Sequence, residues 1–335
     1  MRRALFVVVI LAQIALLAYL AGQREWILAK GEVVYLRTAP IDPRDPLRGD
    51  YVVLSYDLNQ VPLSAFRQSP DLLKRGQIVY AALSQEAGDL YRLDYLSLTP
   101  PGRGQFLKGR VAHFYDGGGR REQGFVDLRY GIEKMFVEQG SGKAIEQRRG
   151  VRDGVQVPME VAVAIGRGGV GQIKTFRWSP VGLQFQRVNS AAASAEEGAA
   201  NLRFQMNIHN FSDAPLRIID GPEHCAFRLD MLPGREATAA PREIACSLAQ
   251  WQQEKVISLA PGEVHSTQFD LSLPRWYVYS LSDREVWGNI AELALGQRFR
   301  LTYLPASAAG VRSDAALLWQ HSLSTPAFNA RGFID

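Results

Sequence analysis

Hydrophobic residues are arranged along this chain in two unlike ways. Residues 4–21 are apolar apart from Gln13, whereas beyond residue 30 the apolar positions come in short runs that mostly alternate with polar ones. At 1.5 Å per residue the first stretch makes a helix about 27 Å long, close to the thickness of a bilayer's hydrocarbon core, and predicts one membrane span. Alternation at 32–37, 51–58, 77–84, 90–98, 106–115, 124–129, 160–165 and 172–178 predicts strands with one face buried. Glycine runs at 116–119 and 166–169 supply the turns between some of them. A short basic helix is expected at 143–149. Residues 189–200 are small, polar and featureless, as in a linker. Further strands are predicted at 202–209, 216–219, 225–229, 256–259, 264–273, 298–303 and 316–322, with Trp276, Trp287 and Trp319 as packing residues.

The pattern therefore predicts a mainly β protein. Its expected parts are a transmembrane anchor at 1–22, a small β-barrel or sandwich at 23–180, a linker or long loop at 181–200, and an immunoglobulin-like β-sandwich at 201–335. Arg2 and Arg3 precede the apolar run, which by the positive-inside tendency keeps the N-terminus cytoplasmic and exports the rest. The run is longer than a signal-peptide core, and 17–22 lacks a small-residue cleavage pattern, so the anchor is expected to stay uncleaved. No cysteine lies near the end of the run, which excludes a lipoprotein signal.

The chain has two cysteines, Cys225 and Cys246. In an oxidising compartment the pair reads as a disulfide stabilising by roughly 3 kcal/mol; two buried thiols are the alternative. Net charge is +4, divided as 23 basic against 18 acidic residues in 23–180 and 13 against 16 in 181–335. The basic half is suited either to anionic headgroups or to an ordinary solvated surface. Basic residues are scattered without interleaved aromatics, which argues against nucleic acid.

Two segments stand out. The first runs through Asp42, Arg44, Asp45, Arg48, Gly49, Asp50, Tyr51, Leu54 and Tyr56, a proline-punctuated loop entering a strand. The second holds Tyr130, Gly131, Glu133, Phe136, Glu138 and, after a glycine turn, Glu146. Gly49-Asp50-Tyr51, Leu54 and Tyr56 stand in the order that names the GDYXXLXY family, and the second segment is similar to that family too, departing at Met135 and Gln139. The resemblance covers about residues 30–180. It implies a bacterial, membrane-anchored accessory to multi-pass membrane proteins; the apolar run at 4–21 and its flanking arginines add the expectation of the inner membrane, with the bulk of the chain in the periplasm.

Residue chemistry adds little catalysis to this. There is no Gly-x-Ser-x-Gly elbow, and His113, His209, His224, His265 and His321 have no partner pattern. Entry through Gly-Asp into a β-fold resembles signal-peptidase-type proteases with a Ser-Lys dyad, but residues 41–49 contain no serine, which leaves Lys108 a plain strand residue. Gly166–Gly171 lies between strands with no helix following, so it is a hairpin and not a phosphate loop. Asp42, Asp45 and Asp50 are natural turn formers, and Arg44 and Arg48 are expected to pair with them or with Glu133. The same acids grouped with Glu133, Glu138 and Glu146 would offer an acid–base pair or an ion site. The expectation is an envelope interaction or assembly module with no catalytic residues, metal or cofactor; the alternative is an envelope hydrolase or an ion or ligand sensor using the 42–50 loop with Glu133.

Overall fold

The computed structural model describes residues 2–38, 51–68, 73–86, 88–116, 124–138, 141, 145, 154–188, 202–232, 239–241, 246, 255–280, 286–305 and 318–334. A single helix, α1 (Arg2–Lys30), opens the chain. It is continuous for eight residues past the expected end of the anchor, because its last turns dock: Ile27 is buried and Leu28 half-buried while the residues on either side stay exposed. Gly31 follows at a very close approach, where a Cβ would lie 2.5 Å from the Ile27 carbonyl and 3.0 Å from that of Ile165. Phe6–Lys30 is long and apolar enough to cross a membrane.

Ten strands follow: β1 (Glu32–Arg37), β2 (Tyr51–Val53), β3 (Gln60–Pro62), β4 (Ile78–Gln85), β5 (Leu90–Ser97), β6 (Gln105–Tyr115), β7 (Phe125–Arg129), β8 (Lys134–Phe136), β9 (Met159–Ile165) and β10 (Gly171–Trp178). Eight of them form one sheet in the order β10-β9-β1-β5-β4-β6-β7-β3, with β1 and β5 parallel and the other pairs antiparallel. Register shifts in β5, β6 and β10 mark bulges, which raise the local twist. The sheet curls far enough for the Lys108 amide on β6 to donate to the Gly169 carbonyl beside β10 at 2.7 Å, giving a half-barrel. Its concave side is filled by Val34, Leu36, Leu54, Tyr56, Leu107, Leu128 and Val161 among others. Every residue of β9 is buried, so this strand lies at the centre of the sheet's packing.

The second half contains β11 (Val181–Arg187), β12 (Arg203–Asn210), β13 (Leu216–Asp220), β14 (Phe227–Met231), β15 (Ala239–Pro241), β16 (Lys255–Leu259), β17 (Val264–Asp270), β18 (Val278–Ser280), β19 (Trp287–Gly288), β20 (Arg298–Tyr303), β21 (Leu323–Ser324) and β22 (Phe328–Asn329). Its sheets are β11-β12-β17, β13-β16, β15-β18-β19 and β14-β20 with β21 and β22. They enclose a separate aromatic core, in which Phe185 stacks on Phe204 at 4.6 Å and Phe328 packs against both. Trp276 and Trp319 are buried in it; Trp287 is half exposed on β19 against Tyr279. Cys225 and Cys246 form a disulfide.

Two expectations need revision, and a third falls mostly outside the described residues. Residues 181–187 do not begin a linker: Val181, Leu183 and Phe185 alternate inward and β11 pairs along its length with β12. The remainder of that segment, 189–200, lies outside the described residues. Of the final strand expected at 316–322, the described residues 318–322 hold an isolated bridge at Leu318, and pairing resumes at β21. Of the basic helix at 143–149 only Ile145 is described, and it is helical.

The halves touch directly. Arg300 pairs with Asp57 at 2.7 Å, Arg37 donates to the Ser322 carbonyl, and Glu86 accepts from the Ser322 amide at 3.2 Å. Gln156 and Leu183 exchange backbone bonds of 2.7 and 2.9 Å. A cleft of roughly 100 Å³ lies between them, walled by Leu36, Leu58, Leu93, Met159 and Leu183 and edged by Arg37 and Arg300.

Candidate functional site

The two segments singled out in the sequence lie side by side. β2 pairs antiparallel with β8, placing Tyr51 opposite Phe136, Val52 opposite Met135 and Val53 opposite Lys134. Leu54 extends the ladder by donating to the Glu133 carbonyl at 2.9 Å. Val52, Leu54 and Tyr56 alternate into the half-barrel core, so the spacing of Leu54 and Tyr56 is the spacing of one strand face. Tyr56 is 1% exposed, and its hydroxyl donates to the Ile132 carbonyl at 3.0 Å.

Glu133 holds the turn that joins β7 to β8. Its Oε1 accepts from the Tyr130 amide at 2.6 Å and from Asn59 Nδ2 at 3.2 Å, and its Oε2 accepts from the Gly131 amide at 3.0 Å. Gly131 has φ of +84°, a conformation that L side chains rarely adopt, which explains glycine at the tightest point of the turn. Asn59 completes the network by donating to the Leu128 carbonyl at 2.9 Å and accepting from the Tyr56 amide at 2.7 Å. The Tyr130 hydroxyl donates to the Leu58 carbonyl at 2.9 Å. Burial, and then the charge of Glu133, push that phenol above its ordinary range, so it acts as a neutral donor.

Asp42, Arg44, Asp45, Arg48, Gly49, Asp50 and Glu146 lie outside the described residues, as does the side chain of Tyr51. Of the remaining predicted positions, Leu54, Tyr56, Tyr130, Gly131 and Glu133 converge on this turn. Glu138 is exposed and lends only its carbonyl, which accepts from the Ser141 amide and hydroxyl. Phe136 points the other way and is 83% exposed. No group of three or more His, Cys, Asp and Glu side chains among the described residues is arranged to hold a metal ion.

Phe136 opens onto a groove of about 820 Å³ between β8 and β10, beside the last turns of α1. Ile173, Phe176 and Trp178 form its apolar wall, with Phe176 and Trp178 edge to face at 5.9 Å. Arg24, Lys134 and Lys174 stand around it.

Sequence reading missed an ion-pair chain on the neighbouring strands. Glu160 on β9 is buried and accepts from Arg37 at 3.0 Å and Arg177 at 2.8 Å; Arg177 goes on to a two-pronged pair with Asp89 at 2.5 and 2.8 Å. The Arg177 guanidinium also lies 3.9 Å over the Tyr35 ring. Arg177 holds the Asp89 carboxyl below its usual range. Only the register that sets Glu160 opposite both Arg37 and Arg177 brings these residues together, and no local spacing announces it.

A helix able to span a membrane, continuous with a curled β-sheet whose motif turn is pinned by a buried glutamate, defines a mainly β protein with one helix long and apolar enough to cross a membrane. Residues 13–175 match the family model described as GDYXXLXY protein, and this part of the chain is a GDYXXLXY family domain. The match runs from the middle of α1 into β10, so helix and sheet belong to one family unit. No curated protein matches the chain.

Proposed function

We propose that this chain is a membrane-anchored interaction module of the bacterial cell envelope, with its β-rich part in the periplasm, and that it engages a membrane-embedded partner through the groove between β8 and β10. The observation that carries this reading is Phe136. A large aromatic side chain, held out on a strand whose neighbour Met135 is buried, borders an apolar groove next to the anchor. Contiguous exposed apolar surface, here Phe136 beside the Ile173, Phe176 and Trp178 wall, marks interaction sites. The disulfide supports an oxidising compartment. The enzyme alternative draws less support, because the Glu133 carboxylate it needs is committed to three N–H donors inside the turn.

The test is site-specific photocrosslinking in native membranes, with benzoylphenylalanine in place of Phe136 and, as a control, in place of exposed Asp213. A discrete protein adduct from position 136 that is absent from position 213 supports the module. Adducts with lipid alone, or the same pattern from both positions, count against it.

A further inference from the structure

Several elements gather at the end of the half-barrel from which α1 departs. β1 begins at Glu32, opposite Ile165 at the end of β9, and the 166–170 hairpin returns there into β10. The start of β6 lies at the same end, where Gln105 donates to Glu32. This end packs back along the helix: Ile27 rests on Gly166, and a second groove is lined on one side by Tyr19, Gln23, Trp26 and Lys30 and on the other by Phe106, Arg167 and Val170. Tyr19 to Lys30 covers about 16 Å of helix, and within that length the sequence passes from apolar residues to Gln23, Arg24 and Glu25. A span that places residues 4–21 in hydrocarbon therefore sets the hairpin at the depth of the lipid headgroups.

The chemistry of this end fits that depth. Tyr19 and Trp26 are both more than 60% exposed on the helix, in the position of an interfacial aromatic belt, and Val170 is exposed on the hairpin. Arg24, Lys30, Arg103 and Arg167 are exposed there against two carboxylates, Glu25 and Glu32. None of the four cations is in an ion pair among the described residues. Gly31 brings the end of the helix against the sheet backbone to backbone, which joins this surface closely to the anchor.

We propose that this end of the half-barrel sits on the bilayer, with Trp26, Phe106 and Val170 at the acyl boundary and Arg24, Lys30, Arg103 and Arg167 bound to anionic phospholipid headgroups. The proposal rests on the reading that α1 crosses the membrane. Its test uses the full chain in nanodiscs of phosphatidylcholine with and without phosphatidylglycerol. Nitroxide labels are placed singly by Gly168→Cys, Leu16→Cys and Asp213→Cys, and depth is read from collision rates with oxygen and with a water-soluble nickel chelate. Gly168 is exposed, with open space around its missing side chain, so the label does not disturb the fold.

The expected result is a hydrocarbon signal at position 16, an aqueous one at 213, and at 168 about threefold or greater shielding from the chelate, since each cation near an anionic leaflet favours contact by roughly fivefold. Shielding at 168 should increase with phosphatidylglycerol and fall in the Lys30→Glu, Arg167→Glu double variant. A label at 168 as accessible as that at 213, while position 16 stays in hydrocarbon, overturns the proposal and leaves the span intact. An aqueous signal at position 16 removes the span, and the proposal with it. Equal shielding at 168 with and without phosphatidylglycerol overturns the recognition of anionic headgroups.

Discussion

At Glu133, three N–H donors converge on one carboxylate inside a turn that also needs a positive φ at Gly131. A hydrogen bond to a charged group contributes about 1.5–3 kcal/mol, and leaving a buried donor unsatisfied costs about as much again. Glu133→Gln keeps one acceptor oxygen but turns an amide NH₂ toward backbone donors. It should lower stability by about 2–3 kcal/mol, measured by denaturant unfolding of the solubilised chain with tryptophan fluorescence as the probe. Tyr56→Phe keeps the ring in the core and deletes one hydroxyl, leaving the Ile132 carbonyl without that donor, and should cost about 1 kcal/mol in the same assay. If Glu133 instead served as a free acid or base, Glu133→Gln would leave the unfolding midpoint nearly unchanged.

Two elements are fixed by single small or paired residues. Gly31 lets α1 meet the sheet backbone to backbone, so Gly31→Ala forces a Cβ against the carbonyls of Ile27 and Ile165 and should cost about 1–3 kcal/mol, with faster proteolytic cleavage at the helix–sheet junction. In the second half, Cys225–Cys246 ties the 3-10 turn after β13 to the segment beyond β15, and Cys246→Ser should lower the stability of that core by roughly 3 kcal/mol, read as an earlier unfolding transition that reductant reproduces in the native chain. Most of these elements were legible beforehand, because β1, β5, β6, β9, β10 and β12 carry period-two patterns and α1 an unbroken apolar run. β11 was hidden by the low-complexity stretch that follows it, and the β2–β8 pairing by a separation of some eighty residues that periodicity cannot bridge. Tyr56 and Tyr130 read as part of a possible site in sequence and are buried donors in the structure, since a conspicuous pattern does not say which way its side chains face. The Glu160 chain left no local signal because sheet register imposes it.

On the scale of the whole molecule, the two cores meet through polar contacts gathered near the 321–324 segment and Arg300, so their coupling should depend on charge. His321 lies in that joint, edge-on to Trp319 at 4.9 Å and one residue from Ser322, which bonds to Arg37 and Glu86. Burial lowers its pKa from the ordinary 6.5, the charges of Arg37 and Arg177 lower it further, and Glu160 and Glu86 oppose them. His209 and His265, in the second half, are also lowered, chiefly by burial. A histidine with a depressed folded pKa binds its proton more readily in the unfolded chain, so below the unfolded value protonation favours unfolding. Stability contributed by the neutral form is full above pH 6.5 and is lost as pH falls through the window beneath it, with a slope of at most about 1.4 kcal/mol per pH unit for each histidine. Asp89 and Asp270 have depressed pKa values as well, but their contribution is lost only below the ordinary carboxylate value of 3.8, which keeps the two windows apart. Denaturant midpoints collected from pH 5 to pH 7.5 should therefore rise with pH, and His321→Gln should flatten part of that rise while leaving the acid limb near pH 3 to 4 in place. A profile equally steep in His321→Gln would show that the joint between the cores does not sense this proton.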